Sequence, residues 1–179
     1  MKYFANVIMF LLSIMAANAL AERYMTQDEF LQQAFPSGVF QRETLWLNKD
    51  VKAIAKQILK HEYRGLRIRY WGNNNTTAWI LDEIGKEHPI TIGVVINGRA
   101  DGAVIADVKI LEFRESRGWE VRYPFFTAQF AGVELQQDQQ LNKTIDGISG
   151  ATLSVRAVKK VAALALYFHG LSKFATPES

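Results

Sequence analysis

Apolar positions follow two different periods along this chain. Near the start, Thr26 and Glu29 form a capping box, each side chain satisfying the other's exposed backbone amide. It predicts a short helix through Phe35, closed by Pro36 and Gly38. Behind Asn48 as an N-cap, Val51, Ile54, Ala55, Ile58 and Leu59 recur at the 3.6-residue helical period, with Gly65 expected to end that helix. The pattern then shortens. Leu66 to Trp71, Ala78 to Ile84, Ile90 to Ile96 and Val104 to Phe113 are rich in β-branched and aromatic residues and read as strands. Val104, Ala106, Val108 and Ile110 are expected to share one face of the last of them.

Asn73, Asn74 and Asn75 form a turn-prone run between two strands, and Asn97-Gly98 is expected to open a hairpin loop that also holds Asp101-Gly102. No connection between strands is long enough for a crossover helix, so the sheet is expected to be antiparallel. A final helix is predicted from about Ala151 to Leu171. Val155, Val158, Ala162, Ala165 and Leu166 form its buried stripe, and Arg156, Lys159 and Lys160 its wet one. The fold class that follows is α+β: a small antiparallel sheet with packed helices.

The first residues carry a different pattern. Lys2 precedes an apolar run from Val7 to Met15, and Ala19-Leu20-Ala21 offers small residues where a signal peptidase cuts. This reads as a cleavable secretory signal over residues 1–21. The alternative is an uncleaved anchor in the inner membrane, but Asn6, Ser13 and Asn18 interrupt the run of about 20 apolar residues that a spanning helix needs. Beyond it we divide the chain into an N-terminal helical segment (22–65), a main domain (66–174) and a frayed tail (175–179).

Charge and cysteine content exclude several functions. The net charge is +3 and includes Lys2, so cleavage leaves +2. Basic residues alternate with acids, without the basic stripe of a nucleic-acid-binding surface. Cysteine is absent, which removes disulfides and thiolate metal or redox sites. His61, His88 and His169 show no metal-ligand spacing, and no hydrolytic triad is suggested by sequence order. We expect no metal site and no catalytic side chain.

The stretch Asp146-Gly147-Ile148-Ser149-Gly150-Ala151-Thr152 runs directly into the final helix. Its glycines allow φ > 0 and close approach of a ligand, while a helix start presents free N–H groups and a positive dipole end suited to phosphate. Propensity alone favours the reading in which Ser149 is an ordinary N-cap, with Thr152 the third helical residue and no ligand involved. Glu115-Ser116-Arg117-Gly118 follows the last strand, and Phe126 to Gly132 is an aromatic-then-glycine segment.

These segments together resemble the FMN-binding domain family, which includes the flavin-carrying subunits of sodium-pumping NADH:quinone reductase and related complexes. The Asp-Gly-x-Ser/Thr-Gly-Ala-Thr run resembles that family's flavinylation signature, and all six of its specified positions match here. The Glu115–Gly118 stretch is similar to the family's Glu-Ser/Thr-x-Gly loop beside the isoalloxazine ring, with Arg117 where many relatives have proline. The resemblance covers roughly Gly85 to Leu171.

By that resemblance, Thr152 receives FMN through a phosphoester, and Asp146, Gly147, Ser149, Gly150 and Ala151 form the recognised loop. Glu115, Ser116, Arg117 and Gly118 would border the ring, with Trp119, Tyr123 or Trp71 as a stacking shelf. A threonine hydroxyl is a weak nucleophile without a base, so the resemblance implies a separate, magnesium-dependent flavin transferase that takes FAD and releases AMP. The implied function is periplasmic electron transfer with membrane or periplasmic redox proteins such as cytochromes or quinone-linked proteins. The alternatives are an FMN-dependent small-molecule reductase and a non-redox adaptor. The sequence shows no candidate substrate pocket, which favours a carrier over a stand-alone enzyme.

Overall fold

The computed structural model describes residues 21–175. All but the last residue of the signal segment expected over 1–21, and most of the tail expected at 175–179, therefore lie outside the described residues. The elements in chain order are β1 (Glu22–Arg23), α1 (Gln27–Ala34), β2 (Gln41–Trp46), α2 (Lys49–Leu59), β3 (Arg67–Asn73), β4 (Thr76–Ile84), β5 (Pro89–Arg99) and β6 (Gly102–Phe113). A 3-10 turn (Trp119–Arg122), the short α3 (Pro124–Thr127), a second 3-10 turn (Ala128–Phe130) and α4 (Thr152–Gly170) complete the chain.

The six strands form one sheet in the order β1-β6-β5-β4-β3-β2, and every neighbouring pair is antiparallel. The α+β class read from the sequence is the observed one. The four expected strands are present, and the capping box operates as expected, with Glu29 N–H donating to Thr26 Oγ1 and Thr26 N–H to Glu29 Oε2. The stretch 22–65 holds the two expected helices but also supplies both edge strands.

Three local expectations are corrected. α2 stops at Leu59, before Gly65, because Lys60 adopts the left-handed conformation at φ 63° and returns its N–H to the Lys56 carbonyl. Asn97-Gly98 lies inside β5, and the chain reverses at Ala100-Asp101, between the paired residues Arg99 and Gly102. β6 does not alternate simply. Its register against β5 shifts between Val95 and Ile96 and again between Thr91 and Ile92, leaving Ala106 and Leu111 as extra residues. Ile105, Val108, Ile110 and Phe113 therefore face the same core, while Ala106 is exposed.

The sheet separates two apolar layers. On one face, Trp79, Ile92, Val94, Ile105 and Val108 pack with Val158, Ala162, Ala165 and Phe168 of α4 and with Ala55 and Ile58 of α2. On the other face, Phe30, Leu31 and Phe35 of the α1 region cover Trp71, Ala78, Val95 and Leu111. Burying each such side chain contributes about 1.5–3 kcal/mol, so the larger layer is what fixes α4 on the sheet. No helix among the described residues is long and apolar enough to cross a membrane.

Candidate functional site

The first turn of α4 is the meeting point of the segments singled out in the sequence. Ala151 N–H donates to the Ile148 carbonyl at 3.0 Å, and Gly150 between them takes φ +82°, a conformation that favours glycine. The bend turns the chain into the helix with Ala151 as N-cap and Thr152 as the first helical residue. Ser149 is therefore not the cap. Ala151 has no side-chain acceptor, and among the described residues no side chain caps the opening of α4. Ile145 and Ala151 are buried and anchor the two ends of the loop, while Asp146, Gly147, Ser149, Gly150 and Thr152 are exposed. A Cβ built at Gly147 or Gly150 would meet nothing within 4 Å, so the bend is open on its outer side.

The second segment sits directly against this turn. Gly118, at φ +89°, packs on Ser154 and on Ala151, whose Cα would lie 3.4 Å from any Cβ placed there. An added methyl would collide with the Ser154 hydroxyl. Ser116 and Arg117 are exposed beside it. Glu115 does a different job: its carboxylate accepts from the amides of Lys86, Glu87 (2.7 Å) and His88 (2.9 Å), closing the β4–β5 loop. Partial burial works against its charge, but those three amides outweigh it and hold its carboxyl below the usual range.

Sequence reasoning missed Gln129. Its side-chain oxygen accepts from Asp146 N–H at 2.8 Å, and its carbonyl accepts from Lys143 Nζ at 3.0 Å. The Phe126–Gly132 segment is itself fixed to the bulged part of β6, where Ile105 N–H donates to the Val133 carbonyl and Gly132 N–H to the Ile105 carbonyl. A chain of hydrogen bonds and backbone connections thus runs from β6 through the Gln129 side chain to Asp146. Ser154 was also missed; its only sequence signal was a polar residue on the helix's apolar side.

The three aromatic candidates separate cleanly. Trp71 is buried in the layer under α1, on the opposite face from α4, and cannot serve this site. Trp119 and Tyr123 follow Gly118 and are 40% and 37% exposed. Their rings meet edge to face at 5.7 Å, and the Arg122 guanidinium lies 5.2 Å and 5.0 Å from their centroids. Arg122 also covers Tyr24, whose hydroxyl donates to Glu22. Burial, followed by that contact with Glu22, pushes the Tyr24 phenol up to about 12.

One cavity lies along the same helix. About 450 Å³ in volume, it runs between α4, the end of α2 and the Gln139–Thr144 loop. Nothing in the residue pattern pointed to it. Among the described residues, no group of three or more histidine and carboxylate side chains could hold a metal ion.

An exposed hydroxyl at an uncapped helix start, a glycine bend open outward and flat aromatic surfaces nearby define a domain that can hold a phosphate-bearing, planar prosthetic group. Residues 85–167 match the family model of the FMN-binding domain. That stretch is an FMN-binding domain, which makes the protein a flavin-binding one. The matched segment contains β5, β6 and nearly all of α4, but none of β1–β4. Neither curated proteins nor solved structures gave a match to the chain.

Proposed function

We propose that this protein is a periplasmic electron-transfer flavoprotein whose FMN is esterified through its phosphate to Thr152. The observation that carries the reading is the placement of Thr152: exposed, first in α4, and preceded by a left-handed glycine with open space around it. A phosphodiester there keeps one negative charge, which the helix start stabilises by about 0.3–1 kcal/mol. The flavin supplies the redox chemistry; the protein supplies position and electrostatics. Gly118 holds the loop beside the helix, Gln129 holds Asp146, and Trp119 or Tyr123 offers the shelf.

Thr152 needs help to react. No histidine lies among the residues of the loop or the helix start to act as a base for its hydroxyl. A magnesium-dependent flavin transferase meets that need. The Thr152 oxygen bonds to the FMN phosphorus of FAD, the pyrophosphate bond breaks, AMP leaves, and the hydroxyl proton passes to the transferase. Electrons are then exchanged with membrane or periplasmic redox proteins such as cytochromes or quinone-linked proteins. The cavity along α4 gives a second reading, a small-molecule reductase, a specific structural basis.

The test is the intact mass of protein exported from a host with an active flavin transferase. The expected mass is the mature polypeptide plus one esterified FMN. A mass equal to the polypeptide alone overturns the linkage. Rapid, saturable oxidation of the reduced flavin by one small organic acceptor, and not by cytochromes or quinones, replaces the carrier reading with the reductase.

A further inference from the structure

Across the whole chain, 21 basic residues are nearly balanced by 18 acidic ones. The cavity along α4 breaks that balance. Lys60, Lys143, Arg156, Lys159 and Lys160 line it, and no aspartate or glutamate does. Lys160 is neutralised from behind: its Nζ lies 2.8 Å from Oε1 of Glu83, a buried carboxylate on β4 that also meets His61. Lys143 bonds only a carbonyl, that of Gln129. Among the described residues, the side chains of Lys60, Arg156 and Lys159 make neither an ion pair nor a hydrogen bond.

Three separate elements deliver these charges. Arg156, Lys159 and Lys160 share one face of α4 through their i, i+3 and i+4 spacing. Lys60 stands at the end of α2, where the chain turns left-handed, and Lys143 comes from the loop before the glycine bend. That loop is shaped around Gln139, at φ +66°, whose buried side-chain oxygen takes no hydrogen bond from the described residues. Like charges in a concave wall repel one another more than charges spread over a convex surface, since field lines are focused between low-dielectric walls. Such an arrangement suits an anion.

We propose that this cavity is a binding site for a small organic molecule carrying at least one oxyanion group, a carboxylate or a phosphate ester. The cations hold the oxyanions through charge-assisted hydrogen bonds. Its volume falls within the range of small-molecule sites, about 300–1,000 Å³, and exceeds what a single inorganic anion fills. The site does not depend on flavin attachment, but it adjoins it. Thr152 and Arg156 are i, i+4 neighbours on α4, so the bound anion sits about one helical turn from the hydroxyl.

The test is calorimetric titration of the exported protein with citrate and, separately, with AMP at low salt. The same titrations on the Thr152→Val variant keep the result independent of flavin. Saturable one-to-one binding of at least one probe is expected. The R156Q/K159Q double variant should bind about tenfold more weakly, with an unchanged far-UV spectrum and melting curve, and K60Q serves as a second, separately placed variant. Binding of citrate alone assigns the site to carboxylates, binding of AMP alone to phosphate monoesters, and binding of both to oxyanions generally. Failure of both probes to saturate, or equal affinity in the parent, R156Q/K159Q and K60Q proteins, overturns the proposal.

Discussion

At its C-terminal end α4 carries His169, 1% exposed; at its N-terminal end it carries Thr152, open to solvent. The His169 end is closed by packing. Its Nδ1 lies 2.8 Å from Thr77 Oγ1, which accepts from the indole of Trp79, itself stacked on Tyr70 at 4.5 Å and against Phe168. The Thr152 end has no side-chain cap and is reached through a glycine bend with empty space outside it. The same helix is thus held at one end and offered at the other. Stability and chemistry are separable along it, because the groups that provide each do not touch.

That separation can be broken by experiment, beginning with the largest effect. Thr152→Val should abolish covalent flavin completely, read as absence of colour after denaturation. Its stability in urea should stay within about 0.5 kcal/mol of the parent, as for an exposed surface site. A large loss of stability would show that the open end also carries the fold. Trp79→Ala should do the reverse, costing about 3–5 kcal/mol by emptying a fully buried ring site. Whatever fraction stays folded should still accept flavin. Loss of flavinylation in folded Trp79→Ala protein would mean that the two ends are coupled.

A pH series sharpens the same contrast. Burial pushes the imidazole of His169 from its ordinary 6.5 down to about 4. Between those values the unfolded chain binds a proton that the folded chain refuses, so stability falls as the pH drops from 6.5 to 4 and is flat above. The loss should amount to roughly 2–3 kcal/mol in stepped denaturant titrations. It should vanish in His169→Asn; an unchanged slope in that variant would assign the effect to another group. The smallest effect belongs to Gly118→Ala. Its left-handed backbone and its contact with Ser154 should cost about 1–2 kcal/mol. Flavin incorporation should fall with it, because the displaced groups are those of the open end. Full incorporation would remove Gly118 from the site.

Much of this was legible in the sequence where local rules act alone. The helical period of α2 and α4, the capping box at Thr26 and the glycine bend before Thr152 each depend on neighbours a few residues away. β2 was not legible. Gln-Arg-Glu-Thr-Leu-Trp lies on an edge, and none of its residues is fully buried, so no alternation marks it; pairing with β3 makes it a strand. The turn after β5 was misplaced because Asn97-Gly98 has strong turn chemistry that tertiary pairing overrides. The helix-face cations Arg156, Lys159 and Lys160 read as a wetted stripe. Only folding shows that Lys60 and Lys143, distant in sequence, complete a wall with them. Gln129 escaped notice for the same reason, its partner Asp146 being 17 residues away.

The irregular strand β6 has a consequence for how the chain can change in length. At Ala106 and Leu111 it holds one residue more than its partner uses, so slack sits at known points. Shortening the chain by one at Ala106 would leave Ile105 and Val108 on the same side of the sheet. Shortening it by one at Lys109 would make Val108 and Ile110 consecutive, and one of the two would have to leave the interior. Insertions and deletions in this part of the protein should therefore be tolerated by position, not by size.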